Sequence, residues 1–385
     1  MHSPDLKAYA APAIFDGDQW HHQHALVILG DRIEGVVPLA QLPPGVALTR
    51  IEDRSLAPGL IDVQVNGGGG LMLNNEPSPE TVATIVTAHR QYGTTGLAPT
   101  VISDTAATMR YAAEAVATAR AGGESGVLAL HIEGPHFAME KRGTHHPKMI
   151  RPISEQDLSW LESLKHFPVI LTVAPEHMPA GYIRQLADAG ILVCAGHTNA
   201  NYAQIQQARE EGLRGFTHLF NAMSQQSARA PGTVGAALDA DDTWAGIIAD
   251  GHHVHPAAIR SAQRAKAPGT LMLVSDAMAT VGGPDIFEIY GQTIAIQDGA
   301  LRNAEGKLAG SAISLIDAVR YCHEVVGLPL AECLRMASYY PATFLKLEHE
   351  LGRLQSGYRA DFFAFDADFK VSETWVAGQH LTHTS

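Results

Sequence analysis

Three residues with metal-binding side chains, Glu133, His197 and His218, each come at or just after the end of a short apolar run. Two imidazoles and a carboxylate with one open position are the ligands of a catalytic divalent-metal site, typically for Zn²⁺, where water becomes nucleophilic near neutral pH. Asp276 follows another apolar run, and a carboxylate beside such a water suits a general base that removes one proton and later returns it. These residue types therefore predict metal-assisted hydrolysis.

Each of these four residues also has a plainer interpretation when it is taken alone. Glu133 could cap a turn or pair with a surface lysine, and Asp276 could cap the helix that follows it. A histidine at a strand end can be satisfied by a backbone carbonyl group. The functional interpretation depends on all four side chains lying at one face of the same fold, and so on the elements that carry them.

An alternation of short apolar runs and longer segments with helical spacing extends from Pro58 to about Leu347. This alternation is typical of an α/β fold, the (β/α)8 TIM-like barrel, whose active site lies where the strands end. Eight strands are predicted, at 60–65, 96–99, 127–132, 169–173, 192–196, 215–218, 245–249 and 271–275. Helices are predicted at 79–91, 105–121, 181–189 and 202–211, and two more that close the barrel at 314–325 and 330–337.

An open doubly wound sheet is the alternative fold. It would place a glycine-rich phosphate-binding turn between the first strand and a helix. Four glycines, at 67–70, follow the first predicted strand, but no helix follows them directly and the G-x-G-x-x-G spacing is absent. The barrel is therefore the favoured prediction.

The two ends of the chain differ from the middle in their pattern, because they contain short β segments without intervening helical segments. Apolar runs at 25–28 and 33–37 flank Gly30-Asp31, which is a hairpin signal. Short β segments also occur near the C-terminus, at 361–365, 371–376 and 379–381. The simplest arrangement is a small β-sandwich domain from residues 1–55 plus 350–385, with the barrel at 56–349 inserted between them.

Composition narrows the class of protein. The formal net charge of −13 over 385 residues argues against a nucleic-acid partner, because a phosphate backbone requires a basic surface. The sequence contains no run of 18 or more apolar residues, so no membrane-spanning helix is predicted. Residues 1–5 lack the charged and then apolar pattern of a signal peptide. Three cysteines make no disulfide framework, so a cytoplasmic protein is expected.

Six segments resemble, in order, the motifs of the N-acetylglucosamine-6-phosphate deacetylase family, which is part of the amidohydrolase superfamily. The resemblance extends from about Ile51 to the C-terminus and implies the barrel fold, a divalent metal, and hydrolysis of the acetamide of a phosphorylated amino sugar to an amine and acetate. The segments are Ala57-Pro58-Gly59-Leu60-Ile61-Asp62, His131-Ile132-Glu133-Gly134-Pro135, Ala195-Gly196-His197-Thr198-Asn199-Ala200, Thr217-His218-Leu219-Phe220-Asn221-Ala222-Met223, Asp250-Gly251-His252-His253-Val254 and Val274-Ser275-Asp276-Ala277.

The resemblance also implies roles for individual residues. Glu133, His197 and His218 would hold the metal, and Asp276 would be the acid and base. His145, near the acetyl carbonyl, would be the second catalytic residue. His253 would contact the sugar, and Asn221 with Ala222 would bind the phosphate. Arg229 would reach the phosphate in the neighbouring subunit, which implies a homodimer, and a guanidinium is well suited to bind a phosphate.

One feature departs from the wider superfamily. Many members carry His-x-His at the end of the first strand and hold two metals, whereas this chain has Gln64 and Asn66 there. Neutral amides are poor ligands for Zn²⁺, so one metal ion per chain is expected. His22 and His24 form a second candidate pair, but they precede the barrel and are not expected to be a functional site.

Three alternatives remain open at this stage. The substrate could be the galactosamine epimer, N-acetylgalactosamine 6-phosphate, because the orientation of one hydroxyl group depends on loops that the sequence does not place. The chain could also be another amidohydrolase, acting on a cyclic amide. A non-catalytic sugar-phosphate sensor on the same barrel is disfavoured, since neither Asp276 nor any of the three predicted ligands is missing.

Overall fold

The computed structural model describes residues 6–165, 167–303 and 305–383, so the N-terminal residues 1–5, on which the absence of a signal pattern rested, lie outside the described residues. Seven strands come first in the chain. They are β1 (Leu6–Ala10), β2 (Ala13–Phe15), β3 (Trp20–His21), β4 (His24–Leu29), β5 (Arg32–Pro38), β6 (Ala47–Arg50) and β7 (Ser55–Pro58).

Strands and helices then alternate through the middle of the chain. In order they are β8 (Leu60–Val65), β9 (Gly67–Gly68), β10 (Leu71–Met72), α1 (Pro79–Arg90), β11 (Thr94–Ile102), α2 (Ala106–Ala121), β12 (Leu130–Glu133), α3 (Glu155–Ser163), β13 (Val169–Val173), α4 (Tyr182–Asp188), β14 (Leu192–Ala195), α5 (Tyr202–Glu210), β15 (Gly215–Phe216), α6 (Gly232–Asp239), β16 (Trp244–Ile248), α7 (Pro256–Ala265) and β17 (Leu271–Val274).

The last part of the chain adds three strands, three helices and the terminal strands. They are β18 (Ile286–Ile289), β19 (Gln292–Gln297), β20 (Ala300–Arg302), α8 (Leu315–Tyr321), α9 (Leu330–Met336), α10 (Tyr339–Phe344), β21 (Phe362–Phe365), β22 (Val371–Val376) and β23 (Gln379–Thr382). A single π turn, Cys322–Val326, continues α8.

Eight parallel strands form the predicted barrel. Their order around the sheet is β17-β16-β15-β14-β13-β12-β11-β8. The sheet closes at its carboxyl end, where the backbone N–H of Asp276 donates to the carbonyl of Gln64 and the N–H of Asn66 donates to the carbonyl of Ala277. These strands are buried, β8, β11 and β12 along their whole length, because helices cover the outer face while side chains fill the interior.

Side-chain caps fix where several helices begin. Ser78 accepts from the N–H of Thr81 at α1, and Thr105 accepts from the N–H of Thr108 at α2. Asn201 and Gln204 form a reciprocal capping box at α5. Because each cap satisfies an N–H group that has no partner within the helix, the helix starts directly after the loop that carries site residues.

Two sheets pack face to face to form the terminal sandwich; the first is built from the N-terminal part of the chain and the second from both ends. One has the order β5-β4-β1-β6 and the other β23-β22-β21-β7-β2-β3. Buried apolar side chains from both sheets form one cluster around Trp375, Phe362 and Ile28. The strand β7 runs across residue 55 and pairs with β2 and β21, so the exact division at residues 55 and 350 stays a prediction.

The structure corrects several predicted bounds: the second barrel strand spans Thr94–Ile102 instead of 96–99, and the third begins at Leu130 instead of 127. The sixth barrel strand, predicted at 215–218, is only Gly215–Phe216, because His218 adopts a φ of 37° that does not fit a strand. The three-stranded sheet β18-β19-β20 is an addition that the alternation of strands and helices does not predict. Among the described helices, none has the length and apolar character needed to cross a membrane.

Replacement of Trp375 by alanine tests whether the terminal sandwich is a separate core. The indole is fully buried and stacks on Phe362 with ring centroids 4.3 Å apart, so its loss should reduce the free energy of unfolding by about 3–5 kcal/mol. Urea unfolding measures this change, with Leu381→Ala as the exposed control. Metal content should stay unchanged, and a stability change below about 1 kcal/mol would contradict the packing argument.

Candidate active site

Four polar side chains converge at the carboxyl edge of the barrel. Glu133 is the last residue of β12, while His197, His218 and Asp276 each lie two residues beyond the end of a strand. Those three residues have φ values of 50°, 37° and 52°. A left-handed backbone costs a residue other than glycine about 1–3 kcal/mol, and such strain is typical of functional sites.

Three electron-pair donors of these side chains face one another. Glu133 Oε1 lies 3.2 Å from His197 Nε2 and 3.1 Å from His218 Nε2, and the two Nε2 atoms are 3.0 Å apart. Two ligands about 2.0–2.1 Å from a tetrahedral ion are separated by about 3.3 Å. The spacing of the three donors therefore fits one small divalent cation.

The protonation of His197 supports the same conclusion. Its Nδ1 lies 2.8 Å from the carbonyl oxygen of Lys141, so Nδ1 donates and the neutral ring carries its lone pair on Nε2. That lone pair faces the Glu133 carboxylate. Burial would raise the pKa of Glu133, but the two imidazoles beside it hold the pKa well below the ordinary value, so the carboxyl group is ionised. An ionised carboxylate and the His197 lone pair at this distance repel unless a cation lies between them.

Two amides, Gln64 near the end of β8 and Asn66 just after it, lie beside the two carboxylates. Gln64 Nε2 donates to Glu133 Oε2 at 3.2 Å and to Asp276 Oδ1 at 3.1 Å. Asn66 Nδ2 donates to the same Asp276 oxygen at 2.7 Å. Their N–H groups therefore point at the two carboxylates, where a second cation would otherwise be needed to offset like charges.

Asp276 is held in a state that suits proton transfer. Burial and then the charge of Glu133 raise the pKa of Asp276 to about 6, although His218 and the bond from Asn66 oppose the shift. A carboxyl group whose pKa is this close to neutrality can both accept and release a proton. Both amides bond Oδ1, and no hydrogen bond reaches Oδ2 from the described residues.

Two more histidines line the same cavity. His145 Nδ1 lies 2.8 Å from Ser103 Oγ, and burial lowers the pKa of His145 to about 3. His253 Nδ1 lies 2.6 Å from Asp250 Oδ2. Burial would raise the pKa of Asp250, but the hydrogen bond and charge of His253 lower it to about 2, so this carboxylate orients the ring.

Of the residues predicted to bind the phosphate, two line the cavity and one does not. Asn221 and Ala222 line the cavity beside His218, in a turn where Ala222 has a φ of 49°. Within the described part of the chain, the backbone N–H of Ala222 has no hydrogen-bond partner. Arg229 lies on an exposed turn and does not line this cavity. Its predicted reach into a neighbouring subunit therefore stays a prediction.

Family models match nearly all of this architecture. Residues 55–381 match the model of the Amidohydrolase family, and residues 8–54 match the NagA composite domain. The chain belongs to the amidohydrolase family. This family assignment implies a divalent metal, for which the described residues offer one buried cluster, Glu133 with His197 and His218.

Relatives of this amidohydrolase carry names that differ by one sugar epimer. The chain is 41% identical over 335 residues, 86% of its length and 84% of the relative's, to an N-acetylgalactosamine-6-phosphate deacetylase of Shewanella sp.. It is 34% identical over 359 residues, covering 92% and 94%, to an N-acetylglucosamine-6-phosphate deacetylase of Haemophilus influenzae. The crystal structure of N-acetylglucosamine-6-phosphate deacetylase from Pasteurella multocida matches with a TM-score of 0.95 and 36% identity over 98% and 100% of the two chains.

Two parts of the site have no clear signal in the sequence. Ser103 follows β11 without a motif, and its bond to His145 joins residues that are 42 positions apart. The turn between β18 and β19 supplies Tyr290, whose hydroxyl donates to the Ser103 carbonyl. A polar residue directly after a barrel strand is the one general signal that could have marked Ser103. His22 and His24 lie in the terminal sandwich, away from the cavity.

Single replacements of the two histidines test the metal cluster. His197→Ala or His218→Ala should reduce metal affinity by more than about 100-fold, because losing a ligand costs more than losing a group that only orients one. Elemental analysis after dialysis against a weak chelator measures the bound metal. His177→Ala, on an exposed turn, is the matched control and should bind metal normally. Normal metal content in both cluster variants would refute the assignment.

Proposed function

We propose that this amidohydrolase removes the acetyl group of N-acetyl-D-glucosamine 6-phosphate, producing acetate and D-glucosamine 6-phosphate. The observation that carries the proposal is the cavity in which the Glu133-His197-His218 cluster lies beside Asp276. Such a cavity suits hydrolysis of an unactivated amide, which needs a nucleophilic water, a stabilised oxyanion and a protonated leaving amine. The names of the Haemophilus and Pasteurella relatives supply the substrate.

The reaction requires one proton to move twice. A divalent ion, with Zn²⁺ proposed as the native metal, would supply the positive charge that lowers the pKa of water and polarises the amide carbonyl. Asp276 takes the proton of the attacking water and then returns it to the leaving nitrogen. Gln64 and Asn66 bond Oδ1 and leave Oδ2 for that proton.

The remaining polar groups suit recognition of a phosphorylated sugar. His145 would donate to the acetyl oxygen, and His253, whose ring Asp250 orients, would contact a sugar hydroxyl; both histidines line the cavity. The free N–H of Ala222 and the amide of Asn221 would bind the phosphate from the same chain. Arg229 would complete the phosphate site of the second subunit in a homodimer. Because its three cysteines are all unpaired and buried, a reducing cytoplasm is the proposed location.

Deacetylation of N-acetylgalactosamine 6-phosphate is the second candidate. It rests on the 41% identity to the Shewanella relative of that name. The two sugars differ in one hydroxyl group, so the acetamide chemistry and the phosphate contacts would be the same. The difference between the candidates is therefore one of specificity within a single reaction.

Acetate release separates the two candidates. Metal-loaded protein is assayed with N-acetylglucosamine 6-phosphate, its galactosamine epimer and unphosphorylated N-acetylglucosamine. We expect the highest kcat/KM for N-acetylglucosamine 6-phosphate and a much lower kcat/KM for the unphosphorylated sugar. A higher kcat/KM for the galactosamine epimer would assign the second candidate. No acetate from any of the three would refute both.

Replacement of Asp276 by asparagine tests the proton transfer. The variant keeps the size of the side chain but has no base, so kcat should fall by about 10²–10⁴-fold. Elemental analysis should find normal metal content, because Asp276 is not in the ligand cluster. Turnover close to that of the unchanged protein would remove Asp276 from the mechanism.

Subunit mixing tests whether Arg229 acts in the neighbouring site. Arg229→Ala alone should raise KM for the phosphorylated sugar with a smaller effect on kcat. A hybrid dimer of Arg229→Ala with Asp276→Asn contains one site with both an intact base and an arginine from the other subunit. Mixing the two impaired proteins should therefore restore turnover at low KM. If Arg229 serves its own subunit, mixing restores nothing.

A further inference from the structure

We propose that Ser103 is a positioning residue that fixes His145 as the tautomer with its proton on Nε2, so that His145 presents one N–H donor to the cavity. The contacts within the chain carry this assignment. The identification of the acceptor as the acetamide oxygen rests on the proposed function. Ser103 follows β11 directly, whereas His145 lies in the loop between β12 and α3.

Two donors of Ser103 meet one nitrogen of His145. The backbone N–H of Ser103 donates to Nδ1 at 3.3 Å, and Ser103 Oγ lies 2.8 Å from the same atom. A backbone N–H can only donate, so Nδ1 must be the acceptor. The hydroxyl then also donates to Nδ1, at 2.8 Å, in preference to the Glu133 carbonyl oxygen, which lies 3.5 Å away. With its Nδ1 lone pair occupied in this way, the ring carries its proton on Nε2.

The surroundings keep Ser103 in place. Ser103 is fully buried, and its carbonyl oxygen accepts from the hydroxyl of Tyr290 at 2.5 Å. Gly134 packs against the hydroxyl so closely that a Cβ at residue 134 would lie 2.2 Å from Ser103 Oγ. The hydroxyl therefore has little freedom to move away from His145.

The ring of His145 is fixed from its other sides as well. Phe137 meets it edge to face with ring centroids 5.0 Å apart, and His197 lies 4.6 Å away in a similar arrangement. In the described part of the chain, Nε2 makes no hydrogen bond, and His145 lines the cavity with Glu133 and Asp276. An N–H donor that is fixed before substrate arrives stabilises a developing oxyanion without reorganising.

The tautomer can be observed directly in the metal-loaded protein. Long-range proton–nitrogen correlation NMR on protein with labelled histidines distinguishes the protonated ring nitrogen from the unprotonated one, and the His145→Gln spectrum assigns the signals. The inference expects the proton of His145 on Nε2 without substrate. A proton on Nδ1 would overturn it. Because this NMR measurement needs no turnover, it can confirm the tautomer even if the proposed substrate is wrong.

Activity of two Ser103 variants tests the consequence for catalysis. Ser103→Ala removes the hydroxyl donor and should lower kcat by about 10-fold or more, with KM changed less than about twofold, because the donor acts on the transition state. Its NMR spectrum should show a smaller population of the tautomer protonated on Nε2, because only the backbone N–H, 3.3 Å away, still donates to His145 Nδ1. Ser103→Thr restores the hydroxyl and should recover most of kcat. Metal content should be normal in both, and an unchanged kcat in Ser103→Ala would overturn the positioning role.

Discussion

Repulsion among three electron-pair donors is the constraint on which this active site depends. Glu133 Oε1 and the Nε2 atoms of His197 and His218 lie 3.0–3.2 Å from one another in a buried position. Each comes from a different strand end, so the barrel itself holds them together. A divalent cation turns this repulsion into attraction, and its binding free energy offsets the strained backbone at the two histidines.

The balance of charge around the cluster extends outward to Asp276. Two buried carboxylates near one cation repel each other, so burial and then the charge of Glu133 raise the pKa of Asp276 to about 6. The amides of Gln64 and Asn66 reduce this repulsion by donating to Asp276 and Glu133. A neutral donor can do this without binding a second ion. The same pair therefore orients the base and makes a second cation unnecessary for balancing the two carboxylates.

The sequence predicted the parts of the site that follow from strand ends. Glu133, His197, His218 and Asp276 come at or directly after apolar runs, and a parallel barrel brings such positions to one edge. The apolar pattern could not show that Gln64 donates to two carboxylates or that Ser103 contacts His145, because both depend on how distant strands align. It also missed the β18-β20 sheet, which lies outside the repeating order of strands and helices.

X-ray absorption spectroscopy of the metal-loaded protein tests the central claim most directly. We expect one ion per chain by metal analysis of the same sample, and a spectrum with two imidazole ligands and an oxygen shell at about 2.0–2.2 Å. This result would place the ion on His197, His218 and Glu133 and would leave Gln64 and Asn66 as hydrogen-bond donors only. A second metal ion about 3.5–4 Å from the first, or a shell without two imidazoles, would contradict the account.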